Sequence, residues 1–166
     1  MALGRRPGDA WRRTRYAGPY LRDTLLDREV MAETLETATT WSNLERLYRA
    51  VAEALRSTLA GRGTPAFVLC HVSHLYPSGA SLYFTFLARQ EADAMAQWQA
   101  AKSAASEAIV TAGGTITHHH AIGRDHARWM TAEVGEMGLE LIRAAKERLD
   151  PEGIMNPGKL LPAAED

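Results

Sequence analysis

Three consecutive imidazoles, His118, His119 and His120, follow a glycine pair in the stretch Gly113-Gly114-Thr115-Ile116-Thr117-His118-His119-His120-Ala121-Ile122-Gly123. Histidine is the side chain whose ordinary pKa lies nearest neutrality, so such a run can take, give or hold a proton and can also bind an anion. If the segment is extended, His118 and His120 point one way and His119 the other, so all three share a pocket only if the chain bends, as it could toward Gly123. A rival use is a metal site drawing on His118, His120 and His71, His74 or His126, since imidazole suits zinc or iron. No Glu or Cys stands at a supporting ligand spacing, and no metal is assigned.

Elements must position these groups, and the chain can supply them. With 166 residues it has the length of one domain and can bury a core. A net charge of −1 and a pI of about 6.6 provide no global field for nucleic acid or an anionic membrane, so any recognition is local. The single cysteine, Cys70, lies in an apolar run and cannot form an internal disulfide, which points to a buried, inert thiol and a reducing, cytoplasmic compartment. Residues 1–30 are rich in arginine but lack an apolar run, which excludes a secretory signal or a membrane span there. Their Asp9, Asp23 and Asp27 with Trp11, Tyr16 and Tyr20 suit a segment that docks on another surface. The terminal Pro162-Ala163-Ala164-Glu165-Asp166 is no peroxisomal or retention address.

The periodicity predicts a strand from about Met31 to Thr40. A helix follows, with Trp41, Leu44, Leu47, Tyr48, Val51, Leu55 and Leu59 at helical spacing behind a Ser42/Glu45 capping box. Phe67 to Leu75 and Ser81 to Leu87 read as a hairpin about Tyr76-Pro77-Ser78-Gly79. Glu91 to Ala112 reads as a helix with Met95, Trp98, Ala101, Ala105 and Ile109 on one face, and Thr115 to Thr117 as a fourth strand. The order strand, helix, strand, strand, helix, strand is the ferredoxin-like split βαβ arrangement, an α+β fold with an antiparallel sheet and helices on one face. Residues 31–130 would form this unit. A further helix from Ala132 to Leu149, with Val134, Met137, Leu141 and Ala145 at helical spacing, and a docking tail complete residues 131–166.

Across nearly the whole chain, in order, several motifs resemble the C-terminal half of the FAD-linked oxidases of the vanillyl-alcohol oxidase superfamily, most closely the alkyldihydroxyacetonephosphate synthase branch. They are Pro19-Tyr20-Leu21-Arg22-Asp23, Gly79-Ala80-Ser81-Leu82-Tyr83-Phe84-Thr85-Phe86, the histidine stretch above, and Asp150-Pro151-Glu152-Gly153-Ile154-Met155-Asn156-Pro157-Gly158-Lys159-Leu160. The resemblance implies that Arg22 holds an anionic substrate group, phosphate or carboxylate, which a guanidinium fork suits. It implies that Tyr83 acts as acid or base, that His118, His119 and His120 face flavin and substrate, and that Asn156 and Lys159 lie near the flavin. The branch pattern Tyr-Phe-Tyr-Phe is Tyr83-Phe84-Thr85-Phe86 here, so the pocket wall differs.

Nothing upstream of Trp11 could bind the adenine dinucleotide, and the Gly113-Gly114 pair follows a helix rather than opening one. The expectation is therefore a substrate-binding or cap half that meets FAD only through a partner FAD-binding domain or subunit, is inactive alone, and is compatible with a homodimer. In the synthase type a fatty alcohol replaces the fatty acid of acylated dihydroxyacetone phosphate without net redox change. The alternatives are half of a 2-hydroxyacid oxidase of glycolate or D-lactate type, and a non-catalytic ferredoxin-like interaction module. The face carrying Tyr83 and the histidines is expected to stand open to solvent.

Overall fold

The computed structural model describes residues 4–162, so the ends of the first and last segments expected above, residues 1–3 and 163–166, lie outside the described residues. Two short helices, α1 (Arg6–Thr14) and α2 (Gly18–Leu26), each carry a proline at the second position of the first turn, and no residue of either is buried. The sheet follows from β1 (Val30–Thr40), β2 (Phe67–Leu75) and β3 (Gly79–Arg89), with α3 (Leu44–Gly61) joining the first two and α4 (Ala94–Thr111) after the third. All pairs are antiparallel in the order β1-β3-β2, and Leu35 and Cys70 both face Phe84 across their ladders.

Period-two alternation divides the sheet into two unlike faces. Met31 and Leu35 of β1 and Leu82, Phe84, Phe86 and Ala88 of β3 point toward α3 and α4 and are buried with Leu47, Val51, Leu55, Leu59 and Ile109. Ala101 and Ala105, one turn apart and fully buried, present only methyl groups where α4 packs. The other face carries Ala32, Thr34 and Glu36, then Tyr83, Thr85 and Leu87, then Phe67, Leu69 and His71. Here α2 adds to the expected arrangement, because it leans over this second face beside β1. The remaining strip stays uncovered, with Phe67 62% and Leu69 48% exposed.

Several local expectations change in the structure, each for a visible reason. The Ser42/Glu45 capping box does not form. Trp41–Asn43 is a 3₁₀ turn, Asn43 spends its amide on the Ala112 carbonyl at 2.7 Å, and Glu45 pairs with Arg49. Helix α4 starts three residues late because Asp93 caps it, accepting from the Ala96 amide at 2.9 Å, while Glu91 is drawn to Arg62. Met95 on that helix is 62% exposed and so lies off the buried face.

The fourth strand is only begun. Thr115 and His118 donate their amides to Ala38 and Glu36 of β1, both at 3.0 Å. Between them Thr37 Oγ1 donates to the Thr115 carbonyl at 2.6 Å and Glu133 accepts from the Ile116 amide at 2.8 Å. Side chains thus satisfy groups that a ladder would have used, and no regular strand results.

The last helix, α5 (Met130–Leu149), is broken at Gly135, whose φ of 71° and ψ of 169° are not helical. The break shifts the helical phase, so Met130 and Leu139 are buried while Val134, Met137 and Leu141 stay exposed, contrary to the spacing-based expectation. Among the described residues no helix is long and apolar enough to cross a membrane.

Cys70 on β2 is half-buried against the core, and burial pushes its thiol up to about 11. Labelling by a thiol reagent near neutral pH is therefore expected to run about 10²-fold slower than for a free cysteine, converging in urea. Equal rates folded and unfolded, followed by absorbance, would contradict the packing described for β2.

Candidate functional site

The center of the site is a residue that the sequence reading passed over. Glu36 stands in the middle of β1, is 4% exposed, and turns its carboxylate to the histidine loop. Ser73 donates to its Oε1 at 2.5 Å, and Nδ1 of His118 and of His74 lie 3.2 and 3.3 Å from the same oxygen. Nε2 of His120 lies 3.6 Å from Oε2. Ser81 continues the network, 2.6 Å from the Ser73 hydroxyl and accepting the His74 amide at 3.0 Å. Burial opposes ionization of Glu36, but the hydrogen bonds from Ser73, Ser81, His118 and His74 outweigh it and hold the carboxyl below its ordinary value.

The loop reaches this carboxylate because the chain does bend. His119 and Ala121 take φ of 61° and 60°, a left-handed turn at each that interrupts the strand-like alternation. The bends are pinned by His126, which is 8% exposed and whose Nδ1 donates to the Ala121 carbonyl at 3.1 Å. Burial lowers the basicity of His126, which suits this structural role. The rings then pack on one another: His118 and His119 meet edge to face at 4.1 Å, and His119 stacks on His74 at 4.8 Å. Tyr76 OH hydrogen-bonds Nε2 of His118 at 3.0 Å.

Tyr83 is half-buried on the second sheet face and touches His120 edge to face at 5.4 Å. It shares one groove of about 440 Å³ with Arg22, Leu21 and Leu25 of α2 and with Thr34 and Thr85. Arg22 is exposed and its nearest carboxylate is Asp23 at 3.6 Å, a loose pair that leaves the guanidinium available. The fold thus brings Arg22, Tyr83 and His120 to one side of the sheet. It does not bring Asn156 and Lys159 there. Asn156 sits in a left-handed turn, its carbonyl accepting the Lys159 amide at 3.2 Å, and Lys159 lines a different cleft with Arg124.

Two contributors were invisible to motif reading. Glu36 is one of two acids among the threonines of β1, and its register opposite Tyr83, rather than opposite Phe86 as for Glu33, distinguishes it. His74 was weighed solely as a metal ligand. Nitrogens of His74, His118 and His119 do lie within 4.8 Å of one another. However, both ring nitrogens of His118 are already engaged, Nδ1 with Glu36 at 3.2 Å and Nε2 with Tyr76 OH at 3.0 Å, which leaves neither free for a metal in this arrangement.

Chemically, the buried carboxylate holds His74, His118 and His120 in place by hydrogen bonds and close contact, and of these rings His120 is the one set against Tyr83. The sign of the carboxylate's contribution to stability follows from its lowered value. The stabilization is complete above the unfolded carboxyl value of 4.5 and is lost as the pH falls through the lower folded one. Glu36→Gln should therefore reduce the urea midpoint most at neutral pH and progressively less in acid. A difference that grew on acidification would contradict this network.

Comparison with known proteins assigns the chain to a family. A model of the family described as FAD linked oxidases, C-terminal domain, matches residues 5–160. Alkyldihydroxyacetonephosphate synthase of Dictyostelium discoideum is 36% identical over 167 residues, covering 100% of this chain and 27% of that protein. The enzyme of the same name from Trypanosoma brucei brucei is 38% identical over 162 residues, covering 97% of this chain and 26% of its own length. A solved alkyldihydroxyacetonephosphate synthase superimposes with a TM-score of 0.63 at 31% identity, over 94% of this chain and 25% of that one. This chain therefore spans about a quarter of the relatives it matches. A sheet with an open, polar-rimmed face, a tyrosine and a clustered histidine loop thus has a family to which it can be assigned, and the chain belongs to the FAD-linked oxidases, as their C-terminal domain.

Proposed function

We propose that this chain forms the substrate-side wall of a flavoenzyme site of alkyldihydroxyacetonephosphate synthase type, with FAD carried on an FAD-binding domain outside the described residues. The observation that carries the reading is the convergence of Arg22, Tyr83 and His120 around one face, backed by Glu36. Arg22 would seat the anionic group of the substrate, which fixes the reacting carbon relative to Tyr83. Tyr83 would exchange a proton with that substrate, and His120, held by Glu36, would take or return it. Bound FAD would supply the electron-accepting chemistry that these side chains lack.

The residues present fit such a group. Phe67 and Leu69 leave apolar surface uncovered next to His71 and Tyr83, suited to a flat ring with polar edges.

A flavin titration of the chain, alone and mixed with an FAD-binding domain, tests the reading through flavin fluorescence and absorbance. Binding in the mixture alone is the expected result, followed by turnover of acylated dihydroxyacetone phosphate that Arg22→Ala abolishes. Turnover of glycolate or D-lactate in its place would assign the 2-hydroxyacid oxidase type. No flavin binding in either sample would leave the interaction module. One observation supports a further reading: nitrogens of His74, His118 and His119 lie within 4.8 Å of one another and would hold a divalent ion in exchange for hydrogen bonds they now make. Stoichiometric metal retained through purification would decide for it.

A further inference from the structure

After α5 the tail turns back, and the Leu160 amide donates to the Gly123 carbonyl at 2.9 Å. Between this tail, α5 and the turn before it lies a cleft of about 810 Å³. Among the described residues its lining holds four cations, Arg124, Arg128, Lys146 and Lys159, and no carboxylate. Lys146 is committed to the tail, since its ammonium donates to Asp150 and to the Met155 carbonyl at 2.9 Å. Arg128 lies over the Trp129 ring, 3.9 Å from its centroid, which fixes its plane. Among the described residues Arg124 donates to the Pro157 carbonyl alone, at 3.5 Å.

Three cations thus face one concavity, and among the described residues the ion pair of this cleft uses Lys146 alone. Like charges gathered on a concave wall raise the local potential and favor an anion that can neutralize several at once. Two guanidinium forks suit phosphoryl oxygens bidentately, and an ammonium adds a point charge. A carboxylate is too small for the volume and carries one charge. Two linked phosphoryl groups carry about two to three charges near neutral pH and match the free cations. The cleft shares no lining residue with the groove of Arg22 and Tyr83, so it is separate from the substrate-side face.

We infer that the cleft lined by Arg124, Arg128 and Lys159 binds the diphosphate group of a small molecule. The inference does not require the flavoenzyme reading to hold. Isothermal titration of the whole chain with inorganic pyrophosphate tests it, with orthophosphate and sulfate in parallel. The expected result is a single site, about tenfold tighter for pyrophosphate than for either smaller anion, and weakening steeply with added salt. Arg124→Gln should weaken it by a further factor of about ten and Arg124→Lys by less, with unchanged far-ultraviolet circular dichroism. No saturable heat, equal affinity for sulfate, or affinity indifferent to Arg124→Gln would each overturn it. Adenosine diphosphate and FAD as competitors separate the sources. Displacement by the first alone assigns a free nucleotide and by the second alone the flavin cofactor. Displacement by neither overturns the small-molecule assignment.

Discussion

Tyr83→Phe is expected to slow turnover by the chain assembled with its FAD-binding domain about 10²–10⁴-fold, the range of a lost acid or base. The melting temperature should move by no more than about 1–2 °C, since surface changes without a named structural mechanism stay within about 0.5 kcal/mol. The separation of the two effects rests on where the hydroxyl sits. The ring provides the packing, edge to face with His120 at 5.4 Å and against the groove beneath α2, and phenylalanine preserves both. What is removed is the one phenolic proton on the face shared with Arg22. Stopped-flow measurement of flavin absorbance under single turnover, beside a thermal melt, would check both halves. A variant that keeps its rate would remove Tyr83 from the chemistry and leave it as packing.

The largest effect on stability is expected at Gly79, where the hairpin turn enters β3. A methyl group there would stand 2.0 Å from the Thr39 carbonyl oxygen and 2.9 Å from the Thr40 Cα. Both atoms are main chain and neither can rotate away. Gly79→Ala must therefore part the end of the β1–β3 ladder, where Gly79 faces Thr40, and disturb the Trp41 amide bond to Ser78 at 3.2 Å. The expected cost is at least about 3 kcal/mol, or on the order of 6–12 °C in melting temperature for a chain of this size. Chemical denaturation read by circular dichroism would measure it, and a loss below about 1 kcal/mol would mean that the strands meet differently. Because β1 carries Glu36, the same change should loosen the histidine cluster.

The contrast between these two positions shows which parts of the molecule the sequence made legible. Gly79 was readable as a turn residue and Tyr83 as a residue opposite Leu82, Phe84 and Phe86, because turns and strand alternation are local properties. The hairpin, α3 and α4 followed from the same periodicities. Glu36 was not readable, because its role arises only when β1, the end of β2 and a loop some eighty residues later meet, and no local pattern encodes that meeting. The phase of α5 failed for a related reason. Its apolar spacing is regular on paper, but Gly135 leaves the helical region and turns Val134 and Met137 away from the core. The fourth strand failed because side chains of Thr37 and Glu133 claimed the groups that a ladder needed. Side-chain competition of that kind has no periodicity to detect.

The bond from Leu160 to Gly123 has a consequence for synthesis. A ribosome delivers the three strands and the two core helices well before residue 160, and local units fold as they emerge. The sheet and its buried core can therefore form while the histidine loop still lacks its backbone clamp. His126 already holds Ala121 and Ile122, but the bond at Gly123 waits for a residue of the tail, made after the sheet and core helices. Newly made copies would pass through a stage in which the scaffold is complete and the loop is not yet fixed, so that maturation of the site, rather than collapse of the core, is the final step in making this domain.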